Sequence, residues 1–318
     1  MAVSGGGTVV ALRALGLGDL LTAVPALRAL TAAFPRSLRL LAAPVALAPL
    51  AYASADVDQV VPTPDLQSRL HCRRPDVAVN LHGRGPESHR LLLATGPHRL
   101  VAFRHPAVRE TAAAPRWCEQ EHEVDRWCRL LRAFDIEADP RDLLLDPDRL
   151  PAAALPAGTT LLHPGAKAVA RRWPADRWAE VARAEVRRGC PVVITCGAGE
   201  EDLAEEVRHR ASLPAACVCR PSDVLHLAAT VAAAARVVCG DTGVAHLATA
   251  LDRPSVLLFG PSSPDRWGPP PGGRRLVLWK GRTGDPLGNV PDPGLLAIST
   301  EEVVGALTHL PDGREGAT

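Results

Sequence analysis

The feature that most limits how this chain can fold is an alternation of short apolar runs and longer helix-like stretches, run through twice. Thr8 to Leu12 is a brief run rich in β-branched residues, and a glycine-containing turn, Ala14-Leu15-Gly16-Leu17-Gly18-Asp19, follows it. Leu20 to Phe34 then reads as a helix, because Leu20, Val24, Leu27 and Leu30 fall on one face. Leu38 to Ala42, Val57 to Val61 and Val77 to Leu81 read as further short, buried strands. A stretch rich in Pro, Asp and Ala, Asp139 to Gly158, is the expected linker. After it the pattern restarts. Thr159 to Leu162, Pro191 to Thr195, Ala216 to Cys219, Val237 to Cys239 and Ser255 to Phe259 read as strands. Asp176 to Arg188, Glu200 to Ala211 and Asp223 to Ala235 read as the helices between them, and Ser299-Thr300-Glu301-Glu302 has the form of a capping box opening a last helix. Such alternation predicts an α/β protein of two doubly wound parallel sheets, residues 1–150 and 151–318, with the last helix a candidate to pack back on the first domain. Ligands in such folds bind at the carboxyl ends of the strands.

Composition narrows the partners. Lys and Arg number 36 against 35 Asp and Glu, so no net field draws the chain to nucleic acid or to a membrane. Aromatics are 3%, too few for a platform that stacks single-stranded bases. Lysine occurs only at 167 and 280, every other basic residue being arginine, which warns against reading chemistry into each arginine. The 8 cysteines show no C-x-x-C pair and no zinc-type Cys/His spacing. Arg13 and Asp19 interrupt the N-terminal apolar stretch, so it does not read as a secretory signal, and no run is long enough to span a bilayer. The expectation is a reduced, cytoplasmic protein with no metal site and no bound cofactor.

Two strand-to-helix turns could carry chemistry. Gly16-Leu17-Gly18-Asp19 would let a ligand approach the backbone, with a carboxylate at a helix N-terminus. Leu21 stands where a dinucleotide fingerprint needs glycine, which disfavours a nicotinamide or flavin site. The plainer alternative is a tight turn with Asp19 as N-cap. In the second turn, Cys239-Gly240-Asp241-Thr242-Gly243-Val244-Ala245-His246, a helix opens with unobstructed N–H groups that suit a pyrophosphate, and His246 lies one turn further on. There too Asp241 is a good N-cap by itself, and His246 an ordinary helix-surface residue.

With His163-Pro164-Gly165, Arg171-Arg172-Trp173-Pro174, Phe259-Gly260-Pro261 and Pro264 through Pro269, these segments closely resemble glycosyltransferase family 9, the ADP-heptose heptosyltransferases. Weaker matches lie at Asp76 to Ser88 and His122 to Leu131. The resemblance implies a GT-B fold, two Rossmann-like domains facing a cleft, with acceptor bound by the first and donor by the second. It implies inverting transfer of a heptose from an ADP-sugar to a hydroxyl acceptor, with Asp19 as general base beside Gly18. On the donor side it assigns Arg171, Arg172, Asp241, Thr242, Gly243 and His246, with Glu200 as the ribose carboxylate; Glu201 leaves that last assignment open by one position. Lys167 is a further donor candidate or a solvated loop lysine. Arg84 and His82, after the Val77 strand, are candidates for the acceptor. The partners implied are a nucleotide-sugar and a glycan, glycolipid or small-molecule acceptor, with peripheral contact at the inner membrane left open. An epimerase or hydrolase on the same nucleotide site, and a noncatalytic nucleotide-sugar-binding protein, are the alternatives.

Overall fold

A computed structural model describes residues 7–312. The chain divides into two compact units, the first ending at Leu145 and the second beginning at Asp146. The first unit holds five parallel strands, β1 (Thr8–Leu12), β2 (Leu38–Ala43), β3 (Gln59–Pro62), β4 (Val77–Asn80) and β5 (Arg99–Val101), in the order β3-β2-β1-β4-β5. Val9 to Leu12 and all of β4 are buried, as strands covered on both faces must be. The helix Leu17–Ala33 returns along the sheet and buries Leu20, Leu21, Val24, Leu27 and Leu30. It starts three residues earlier than the apolar periodicity predicts, because Gly16 and not Asp19 is the N-cap. Asp19 sits in the first turn instead, where its Oδ2 accepts from the Gly16 N–H at 3.2 Å.

From residue 63 to 76, between β3 and β4, no helix or strand forms. Leu70 and Cys72 anchor this crossover in the core, and Asp65 accepts from the amides of Gln67 and Ser68. Glu123–Arg132, which follows β5 and a long loop, is a helix opened by His122, whose ring accepts from the Val124 N–H.

The second unit holds six parallel strands: β6 (Thr160–His163), β7 (Val192–Thr195), β8 (Val218–Cys219), β9 (Arg236–Gly240), β10 (Ser255–Leu258) and β11 (Arg275–Leu278). Their order is β11-β10-β9-β6-β7-β8. Trp173 and Trp178 meet edge to face, centroids 5.3 Å apart, in the core beneath β6 and β7. The Trp173 indole N–H is satisfied by the carbonyl of Ile298 at 3.1 Å. The capping box at Ser299 forms as expected: Ser299 Oγ accepts from Glu302 N and Glu302 returns a bond to Ser299 N. The helix it opens, Thr300–Thr308, buries Val303 and Leu307 in the second unit's own core.

In each unit the first strand lies inside the sheet, with its successors on both sides. Chain direction reverses between β1 and β4 and again between β6 and β9, and each reversal opens a crevice at the carboxyl ends of those strands. At the opposite edge of the second sheet lies a different feature. Arg236, opening β9, is wholly buried; it donates to Glu185 at 2.5 Å, to Thr160 Oγ1 at 2.9 Å and to the Leu307 carbonyl.

Candidate functional site

At the β1/β4 crevice the chain leaves β1 through Arg13 and β4 through Leu81 and His82. Asp19 keeps 28% of its side chain exposed and is the carboxylate at this crevice. Beneath it Arg13 is buried, with Nε donating to the Asp19 carbonyl at 2.8 Å and Nη2 lying 3.4 Å from Asp19 Oδ1. Burial, and after it the positive charge of Arg13, push His82 down to about 4, so its imidazole is neutral at pH 7. The next histidine along, His89, has its tautomer fixed: Nε2 donates to the Phe103 carbonyl at 2.7 Å, leaving Nδ1 to accept from Asn80. Gly18 lies in the first helical turn, half-buried. Arg84 is exposed and paired with exposed Glu119 at 2.9 Å.

At the β6/β9 crevice the polar groups come from three strand ends. His163 ends β6, shares a hydrogen bond of 3.1 Å with the Thr195 hydroxyl at the end of β7, and lies 3.8 Å from Glu200. Burial lowers its pKa against the pull of the Glu200 carboxylate, so it too stays neutral. Glu200, the expected first helical residue, is instead the N-cap of Glu201–Arg210, and its Oε2 accepts from the Gly197 N–H at 2.8 Å. Of the two acids it is therefore Glu200 that folds back over the strand ends. A Cβ at Gly165 would fall on its carboxylate, so the two fit only because residue 165 has no side chain.

At the end of β9 the expected cap is corrected. Thr242, not Asp241, caps Gly243–Ala250, its hydroxyl accepting from the Val244 N–H at 3.3 Å. Asp241 instead turns inward and is buried, its amide donating to the Leu258 carbonyl. Arg171 reaches across, Nη1 donating to the Asp241 carbonyl at 3.1 Å and lying 3.9 Å from its carboxylate. Arg172 is turned the other way, its Nε held by the Ala166 carbonyl at 2.8 Å. His246 stands edge-on to Trp267, centroids 6.2 Å apart. Lys167 is exposed in the loop after β6. The second unit thus gathers His163, Glu200, Arg171, Asp241, Thr242 and Gly243 at the ends of adjacent strands.

Arg13, Glu123, His163 and Thr195 had no assigned role from sequence. His163 lay in a quoted motif, and Thr195 could be found once β6 and β7 were paired. Among the described residues, no group of three or more His, Cys, Asp and Glu side chains is placed to hold a metal ion, and no helix is long and apolar enough to cross a membrane.

The whole architecture superposes on the ADP-heptose lipopolysaccharide heptosyltransferase II of Escherichia coli with a TM-score of 0.73, at 22% identity, over 95% of this chain and 98% of that one. Two parallel α/β units of this kind define the GT-B class. Residues 103–283 match the model of glycosyltransferase family 9 (heptosyltransferase), and the chain belongs to that family. Lipopolysaccharide heptosyltransferase 2 of Salmonella typhimurium is 35% identical over 107 residues, 32% of this chain and 31% of that protein. Lipopolysaccharide heptosyltransferase 1 of Pseudomonas aeruginosa is 34% identical over 148 residues, 45% and 41% of the two. The matched stretches span less than half the length of these curated relatives.

Proposed function

We propose that the chain is an inverting, metal-independent glycosyltransferase that moves a heptose or similar sugar from an ADP-sugar to a hydroxyl on a lipopolysaccharide-type glycan. Asp19 takes the acceptor proton as the acceptor oxygen forms its bond to the anomeric carbon. The bond from that carbon to the pyrophosphate breaks, and ADP leaves with the electron pair. Negative charge grows on the leaving phosphates, and Arg171, Arg172, Lys167 and the helix N-terminus at Thr242-Gly243 supply the compensating positive charge. Glu200 accepts from the donor ribose, and His246 lies one turn into the same helix. Gly18 and Arg84 contact the acceptor in the first unit. The enzyme works in the cytoplasm on a glycan or glycolipid presented there.

The observation that carries this reading is Arg171 lying across the end of β9, against the turn that opens Gly243–Ala250. A guanidinium beside a helix N-terminus at one strand end forms an anion site of the sort a pyrophosphate fills. Family membership supports the sugar-transfer chemistry, and the relatives named for ADP-heptose and lipopolysaccharide support the substrates.

Calorimetry with ADP-heptose and with UDP-, GDP- and TDP-sugars tests the donor. ADP-heptose should bind at least about tenfold tighter than the others, a difference of roughly 1.4 kcal/mol. Equal affinity for all four would remove the donor assignment. Turnover should survive EDTA, and a strict, reversible need for Mg²⁺ or Mn²⁺ would overturn the metal-free mechanism.

A further inference from the structure

Arg13 is the first residue after β1, and none of its side chain is exposed. A guanidinium withdrawn from water costs several kcal/mol, roughly, unless hydrogen bonds and opposite charge replace the solvent. Here the replacements come from the first two turns of the helices Leu17–Ala33 and Glu123–Arg132 and from the residue after β4. Besides its two contacts with Asp19, Arg13 donates through Nη1 to the Leu81 carbonyl just beyond β4. Its Nη2 donates to Thr22 Oγ1 and to Glu123 Oε1, each at 3.1 Å. The cation also lies 4.9 Å from the ring centre of Trp127.

Glu123 is itself held on both oxygens. Trp127 Nε1 donates to Oε1 at 3.0 Å, and Arg126 is bonded to Oε2. Arg126 donates in turn to the carbonyls of Cys118 and Glu121, tying the loop before the helix to the same cluster. Two buried arginines and a buried glutamate leave one positive charge, and Asp19, at the edge of the cluster, is the acid that balances it. Filling the same space with apolar residues would cost less, so stability alone does not call for this arrangement.

We propose that Arg13, fixed by Glu123, is the positioning residue that holds the Asp19 carboxylate at the crevice. The proposal rests on the reading of Asp19 as the base. Arg13 bonds the main chain and the carboxylate of Asp19 together, so the acid cannot swing without the first helical turn moving as well. Asp19 Oδ2 is occupied by the Gly16 amide, and Arg13 sits beside Oδ1, which leaves the outer lone pairs of the carboxylate toward solvent. Arg13 itself has no exposed surface and acts only through Asp19.

The test compares full-length wild type with Asp19→Asn, Arg13→Met, Arg13→Lys and Glu123→Gln. Turnover is read as ADP released from ADP-heptose with deacylated, heptose-free lipopolysaccharide core as acceptor. Misplacing a catalytic group by about 1 Å costs on the order of 10²-fold, so kcat should fall about that far in Arg13→Met. Donor KM and ADP affinity should stay at wild-type values, and Arg13→Lys should recover part of the rate. A structural role alone would lower the melting temperature and leave kcat of the folded enzyme where it was. Wild-type kcat in folded Arg13→Met, beside an inactive Asp19→Asn, overturns the proposal and spares the base. An active Asp19→Asn removes the base and the proposal with it. If Arg13→Met does not fold, Glu123→Gln, which keeps the shape and removes the charge, decides by the same split. Amide hydrogen exchange needs no acceptor: protection over residues 17–22 should drop in these variants, and unaltered protection also overturns the proposal.

Discussion

Arg13 and Arg236 are both buried to the last atom of their side chains, yet they stand at opposite ends of the strands they adjoin. Arg13 follows the carboxyl end of β1, whereas Arg236 opens β9 at the amino end. The partners of Arg236 are Glu185, Thr160, Cys190 and the Leu307 carbonyl, all of them buried, and none belongs to a crevice. The partners of Arg13 include one carboxylate that reaches solvent. The same residue type, equally buried, therefore serves two ends. At the amino edge it fastens the closing helix and the helix Ala175–Arg187 to the sheet, and at the carboxyl edge its network runs out onto a working surface. Position along a parallel strand tells more about a buried ion pair than burial does.

Glu185→Ala should expose the contrast most strongly. It leaves Arg236 charged in the core without its carboxylate, which costs about 3–5 kcal/mol. Urea unfolding should show that loss, while ADP affinity of the folded protein stays unchanged. A drop in ADP affinity without a drop in stability would erase the distinction between the two edges. Next in size is Gly243→Val, which sets a branched side chain among the amides at the β9 crevice. ADP should bind more than about tenfold weaker, roughly 1.4 kcal/mol, with the melting temperature measured beside it. Arg171→Ala is its companion and should weaken ADP more than adenosine, since only ADP carries the phosphates. If both variants fold and bind ADP as wild type does, the anion site lies elsewhere.

The smallest effect expected is on pH. His82, His89 and His163 are held neutral by burial, with folded values below the ordinary 6.5. An unfolded histidine gains its proton near 6.5, so the unfolded chain binds more protons just below that pH. Stability from these residues is complete above about 6.5 and is lost as pH falls toward the folded value, about 4 for His82. The unfolding midpoint should decline across that window. In Arg13→Met the His82 part of the decline should shrink, because one of its two causes is gone; the His163 part should not change. A midpoint that is flat from 6.5 to 4 would contradict the burial of all three.

Much of this was legible in the sequence because strands covered on both faces must read as short apolar runs. β1, β6 and β7 announce themselves that way. The edge strands β5 and β11 do not, since Arg99 and Arg275 open them and, Val101 apart, their residues are not buried. The caps were misplaced by one to three residues for one reason. A short acid before an apolar run looks the same whether it caps from outside, as expected of Asp241, or from the first turn, as Asp19 does. Only the backbone path decides, and it puts the cap on Gly16 in the first turn and on Thr242 in the second. Arg13 was the largest omission. In a chain where arginine replaces nearly all lysine, its identity carries no weight, and only the partners gathered around it from residues 19, 22, 81 and 123 mark it out.

Glu200 rests its carboxylate on the bare backbone of Gly165. The consequence concerns how this sequence can drift. An alanine at 165 displaces the acid from its seat, and a shorter side chain at 200 leaves a gap above the glycine and takes the carboxylate away from His163. Either substitution alone moves or removes the Glu200 carboxylate, whereas a larger residue at 165 with a smaller one at 200 refills the space. The pair should therefore change together or not at all across descendants of this chain, although 35 residues separate them. Where it has changed, the histidine at the end of β6 keeps its bond to Thr195 and loses the acid beside it.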